Sequence, residues 1–150
     1  RILVNIVMNL IPIDRKVDGV RQFSIDETLS LCDAFMNYNN RNIIMFPEGT
    51  RGIPGEMGPF KIGAAKFAIQ LNVPILPALV VGSHKAWPKD KIFMRPTPIQ
   101  IHILDPIYPE QFTQQNVLGE TREDNLDQAA RNMTTELENT IREKGKAFYG

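Results

Sequence analysis

The stretch Ile43-Ile44-Met45-Phe46-Pro47-Glu48-Gly49-Thr50-Arg51 decides how this chain is read. It opens with apolar residues, among them the β-branched Ile43 and Ile44, which predicts a short buried strand. Pro47 cannot donate to a sheet ladder, and Gly49 permits backbone angles closed to other residues. The strand should therefore end at about Phe46, with an exposed turn at its carboxyl end. In open α/β sheets that edge is where ligands bind. The turn carries a carboxylate, a bare backbone, a hydroxyl and the guanidinium of Arg51, a fixed fork of donors suited to phosphate. On chemistry alone the same residues also describe an ordinary strand-ending turn with a surface Glu48–Arg51 pair.

Working backward, Ser24-Ile25-Asp26-Glu27 has the form of a capping box, and Ile25, Leu29, Cys32 and Phe35/Met36 recur at helical spacing. A helix from there to about Tyr38, ended by the Asn-rich residues 37–42, would feed the strand at 42–46 as a βαβ unit and predicts a parallel pair. Residues 2–10 are apolar and fit a helix end or a strand equally. Ile11-Pro12-Ile13-Asp14-Arg15 would place a second guanidinium on the same sheet edge as Arg51, if Arg15 is not simply a solvated surface charge.

Working forward, residues 52–60 form a loop rich in Gly and Pro, long enough to close over a ligand. Residues 61–71 read as a helix with Ile62, Ala65 and Ala68/Ile69 on one face. Lys61 at its start opposes the helix dipole, and such local violations are where function is expected, although a surface lysine is the plain alternative. Prolines 74 and 77 delay regular pairing in the next apolar run to about Ala78. Trp87, among Lys85, Lys89 and Lys91, suits either a membrane interface or a cap on the core edge. Residues 99–104 alternate as a half-exposed strand in which His102 points away from Ile101 and Ile103, to solvent or a polar partner. Thr121 caps a final helix with Leu126, Ala130, Met133, Leu137 and Ile141 on one face and a charged, solvated face opposite, extending to about Lys144 and ended by Gly145.

At 150 residues the chain suits a single domain with one core. Its 17 basic and 17 acidic residues balance, which argues against a nucleic-acid binder working through bulk charge. One cysteine, Cys32, excludes an internal disulfide and reads as a small buried hydrophobe. Cys and His are too few for a zinc site, and no metal or cofactor is expected. No apolar stretch reaches the roughly 20 residues that span a bilayer. The chain opens on Arg1 and runs straight into an apolar segment, and is expected to be a piece of something longer.

The string Phe46-Pro47-Glu48-Gly49-Thr50-Arg51 resembles the signature of the glycerolipid acyltransferases, which include glycerol-3-phosphate and 1-acylglycerol-3-phosphate O-acyltransferases. Residues 11–15 are similar to the family's short apolar segment ending in Asp-Arg, Phe60-Lys61-Ile62-Gly63 to its Phe-Lys-x-Gly stretch, and the run from Val73 to its Val-Pro-Ile-x-Pro block. The resemblance covers roughly residues 2–82. It implies an α/β fold with a mainly parallel central sheet flanked by helices, N-terminally incomplete here, so that residues 1–150 are the C-terminal portion of an acyltransferase domain.

The resemblance further implies acyl transfer from acyl-CoA or acyl-carrier protein to a hydroxyl of glycerol phosphate or lysophosphatidic acid, in phospholipid synthesis at a membrane surface on its cytoplasmic face. It implies a substrate-binding set of Arg15, Glu48, Gly49, Thr50, Arg51 and Lys61, with Glu48 on a substrate hydroxyl or aiming an arginine. The family's catalytic His-x-x-x-x-Asp is absent: Lys89 stands five positions after His84, and Asp105 only three after His102. No catalytic residue is therefore expected in this chain, which should be inactive alone. A non-catalytic anion-binding regulatory module that kept the pocket and lost the chemistry is the competing reading.

Overall fold

The computed structural model describes residues 25–38, 41–50, 56–88, 91–113 and 121–149. The chain divides into two compact units, Arg1–Ile44 and Met45–Gly150.

In the first unit, α1 (Ile25–Asn37) ends where the Asn-rich segment predicts. Thr28 and Cys32 are buried on its covered face. Burial pushes the Cys32 thiol above its ordinary value, as befits a packing residue and not a reactive thiolate. Just beyond the helix, the Arg41 guanidinium lies over the rings of Phe35 and Tyr38, 5.0 and 4.9 Å from their centroids. Ser24, the expected cap, lies outside the described residues.

The second unit is organised by helix α5 (Arg122–Tyr149). Thr121 caps its start, as the sequence predicts: Thr121 Oγ1 accepts the Asp124 N–H at 3.1 Å and donates to Asp124 Oδ2 at 2.7 Å. Ala130, Met133, Leu137 and Ile141 are buried along one stripe, as their spacing predicts. Against that stripe packs α2 (Gly63–Leu71), whose Ala65 and Ala68 let the two helices approach closely. Lys66 and Asp127 form an ion pair between them.

Helix α5 does not stop at Gly145 as expected. A glycine inside a helix costs only about 1 kcal/mol. The last turn has tertiary support, since the Phe148 ring lies 4.5 Å from that of His102.

Strand β1 (Ala78–Val81) begins just past the two prolines, as predicted. It leads through the short helix α3 (Ser83–Ala86) to β2 (Gln100–Ile103), and the two strands pair antiparallel with Leu79 opposite His102 and Val80 opposite Ile101. A bridge between Ile75 and Ile107 extends the pairing, and a one-turn helix α4 (Glu110–Thr113) follows. Among the described residues this is the whole sheet. The parallel pairing expected at residues 42–46 is not found there: these residues carry no ladder, and the other candidate strand, residues 2–13, lies outside the described residues.

The alternation expected in β2 is present, but its faces are exchanged. Ile101 and Ile103 are 64% and 60% exposed, while His102 is half-buried on the side of Leu79, with the Gln100 amide oxygen 3.3 Å from its Nε2. The partner strand decides this. Leu79 belongs to the core beneath α5, and the residue opposite it in the ladder must share its face.

At the end of β1, Gly82 adopts φ +91°, and a β-carbon there would meet the Pro98 carbonyl oxygen at 2.5 Å. A β-carbon on Gly63, in the first turn of α2, would meet nothing within 4 Å. Gly82→Ala should therefore lower stability by about 1–3 kcal/mol, whereas Gly63→Ala should leave it unchanged or raise it by up to about 1 kcal/mol. The urea unfolding midpoint should fall for Gly82→Ala and hold or rise for Gly63→Ala, and a Gly82→Ala midpoint at or above wild type would contradict the geometry.

Candidate functional site

The residues that carry the acyltransferase-like string form a tight turn. The Gly49 N–H donates to the Phe46 carbonyl at 3.0 Å, with Pro47 at the position where its fixed φ is favoured. Gly49 itself has φ +67°, in the left-handed region that glycine enters without strain. A β-carbon on it would lie 2.8 Å from Lys61 Nζ and 3.2 Å from Lys61 Cε, so the lysine side chain lies directly over the bare backbone of the turn.

Lys61 is joined to the turn by its main chain as well, its N–H donating to the Pro47 carbonyl at 3.0 Å. It does not open a helix. The helix begins at Gly63 with Ile62 as its N-cap, two residues after the lysine. The lysine sits where it does because two segments of chain cross there.

Glu48 makes a contact that its place in the sequence does not foretell. Its Oε2 accepts the Gly58 N–H at 3.0 Å. A β-carbon at position 58 would lie 3.1 Å from that oxygen, so the close approach suits glycine. One carboxylate oxygen of Glu48 thus fastens the following loop to the turn. Thr50 is exposed. Arg15 and Arg51 lie outside the described residues. Of the six expected substrate-binding residues, the structure therefore brings together Glu48, Gly49 and Lys61, with Thr50 adjoining in sequence.

The far side of the same loop is held by helix α5. Glu138 Oε2 accepts the Phe60 N–H at 3.1 Å, and its Oε1 accepts from Arg142 Nε at 2.9 Å. Arg142 Nη2 reaches the carbonyls of Met57 and Gly58 at 3.1 and 3.4 Å. The face of α5 expected to be merely solvated therefore grips residues 57–60. A glutamate four residues ahead of an arginine was visible in the sequence, but such a pair marks an exposed helix face as often as a tertiary contact. The bond from Phe60, opposed in part by burial and reinforced by Arg142, holds the Glu138 carboxyl below its ordinary value.

The two histidines show no catalytic arrangement among the described residues. His84 is half-buried in α3, and His102 lies against Phe148. No described group of three or more His, Cys, Asp or Glu side chains is placed to hold a metal. No helix among the described residues is long and apolar enough to cross a membrane.

A depressed carboxyl stabilises the fold above its ordinary value of 4.5, and the stabilisation fades as pH falls through the lower folded value. Glu138→Gln keeps an acceptor for Phe60 but cannot titrate. In denaturant melts across the acid range, wild type should exceed this variant at neutral pH, and the gap should close below the ordinary glutamate range. A gap independent of pH would show that the Glu138 charge adds nothing to the grip.

The family model for Acyltransferase matches residues 3–81, more than half of the chain. The chain is 43% identical over 74 residues to a 1-acyl-sn-glycerol-3-phosphate acyltransferase of Limnanthes douglasii, covering 49% of this chain and 26% of that protein. It is 35% identical over 106 residues to the enzyme of that name from Haemophilus influenzae (67% of this chain, 41% of the other). It is 40% identical over 111 residues to that of Saccharomyces cerevisiae (72% and 36%). The chain thus spans less than half the length of these curated relatives. The crystal structure of the 1-acyl-sn-glycerophosphate acyltransferase PlsC from Thermotoga maritima superposes with a TM-score of 0.50 at 23% identity, over 81% of this chain and 45% of that one, which establishes a shared fold. The matched span contains the Phe46–Arg51 string and the turn it builds, and the chain belongs to the glycerolipid acyltransferase family.

Proposed function

We propose that the protein carrying this chain transfers an acyl group from a thioester donor, acyl-CoA or acyl-carrier protein, to the free hydroxyl of a glycerol phosphate. The names of the relatives favour 1-acylglycerol-3-phosphate, lysophosphatidic acid, over glycerol-3-phosphate as acceptor. The observation that carries this reading is the Lys61 ammonium lying over the Gly49 backbone, inside the turn that the family string builds. A cation against bare main chain, one residue from Thr50 and two from Arg51 in sequence, suits a phosphate dianion.

In this reading Arg15, Arg51 and Lys61 take the phosphate, Thr50 adds a hydroxyl donor, and Gly49 lets the ligand approach the backbone. Glu48 positions the loop through Gly58 and so keeps its own charge engaged near the anion. The base that deprotonates the acceptor hydroxyl is not among these residues, since the sequence holds no His-x-x-x-x-Asp. The 150 residues alone should turn over no thioester. The reaction would be part of phospholipid synthesis at a membrane surface.

Each charge-assisted contact to the phosphate contributes about 1.5–3 kcal/mol. Arg51→Ala in the active enzyme should therefore lower kcat/KM for the phosphate acceptor by roughly 10- to 100-fold, with Lys61→Met acting in the same direction. Release of free thiol from acyl-CoA, followed against acceptor concentration, measures it. Unchanged acceptor kinetics in both variants would remove these cations from the site.

A further inference from the structure

The loop between α3 and β2 has a feature that the acceptor site does not use. Ile92, Phe93 and Met94 are 86%, 83% and 70% exposed, three consecutive large apolar side chains at the tip of a connection. The tip is braced, not slack. The Arg95 N–H donates to the Ala86 carbonyl at 2.8 Å and closes the base of the loop on α3. The Lys91 N–H turns back onto the Pro88 carbonyl at 3.1 Å, and Gly82 lies against Pro98 just beneath.

Trp87 is 48% exposed, and its indole N–H donates to the Lys91 carbonyl at 2.9 Å. The ring's polar edge is therefore satisfied within the loop while part of its apolar body stays open. In sequence, residues 85–95 carry Lys85, Lys89, Lys91 and Arg95 against the single acid Asp90, in a chain whose total charge is balanced.

We propose that this loop is a membrane wedge: Ile92, Phe93 and Met94 enter the interfacial region of an anionic lipid surface, Trp87 lies at headgroup level, and Lys85, Lys91 and Arg95 meet the lipid phosphates. Three successive exposed apolar side chains flanked by cations have the apolar-plus-basic character that inserts at an anionic lipid interface. An aromatic with a satisfied polar edge and an open body matches the residue type that populates lipid interfaces. The segregated positive charge supplies the long-range attraction that brings the tip to an anionic leaflet.

The chain carries its own reporter, because Trp87 is its single tryptophan. On addition of phosphatidylcholine–phosphatidylglycerol vesicles its emission should move to shorter wavelength and be quenched by brominated acyl chains. Phosphatidylcholine vesicles alone should give a weaker response. The variant Ile92→Ser, Phe93→Ser, Met94→Ser should keep the far-ultraviolet circular dichroism of wild type and lose vesicle partitioning by about tenfold or more. Lys91→Gln with Arg95→Gln should weaken binding and flatten its salt dependence. Partitioning equal to wild type in the triple variant would overturn the proposal. So would a wild-type emission that anionic vesicles leave unmoved at low salt, or a dimer that the triple variant dissolves while vesicles are ignored. The readout involves no acyl transfer, so vesicle binding and acceptor kinetics can fail independently.

Discussion

Residues 57–60 are held from two sides by carboxylates that accept main-chain N–H groups. From the turn, Glu48 takes Gly58; from the terminal helix, Glu138 takes Phe60. A loop this short has few conformations that satisfy both bonds at once, and the next residue is Lys61, which closes the circuit onto the Pro47 carbonyl. Hydrogen bonds to charged acceptors contribute about 1.5–3 kcal/mol each, whereas an exposed Glu–Arg pair four residues apart on a helix contributes about 0.3–0.5 kcal/mol. The main-chain bonds, not the Glu138–Arg142 ion pair, therefore set where the lysine stands. Arg142 matters chiefly through the Met57 and Gly58 carbonyls it reaches.

This arrangement explains the glycines without appeal to chemistry at the ligand. Gly49 is favoured by its positive φ, and Gly58 suits the close approach of the Glu48 carboxylate. A site meant to bind a dianion with lysine and arginine side chains loses much of its affinity to ordering those long chains. In the proposed phosphate site, a Lys61 already lying across the turn would lose less freedom when a ligand arrives.

What could be read from the sequence divides along physical lines. The cap and stripe of α5 were legible because they are local: Thr121 and Asp124 are three residues apart, and the buried positions of α5 repeat at helical spacing. The onset of β1 after Pro77 was legible because proline acts on its own backbone. What depended on a distant partner was not. The alternation of β2 was visible, but which side faces inward is set by Leu79 across the ladder, so Ile101 and Ile103 face outward against expectation. Gly145 looked like a terminator because nothing local revealed Phe148 resting on His102. Glu138 and Arg142 looked like solvated charges because the main chain they grip lies some 80 positions earlier, at separations of 78 to 85 residues.

The same division bears on the signature turn. The string from Phe46 to Arg51 identifies the family, yet the string alone does not make the turn rigid. Rigidity comes from outside it, from Gly58, Lys61 and the terminal helix, none of which a six-residue signature contains. Residue 81 bounds the matched family span, and α5 lies wholly beyond it. A helix outside the family's matched segment thus sets the backbone beside the family's signature turn. Variation in α5 at positions 138 and 142 would be expected to alter how firmly the loop is held while leaving the signature residues themselves untouched.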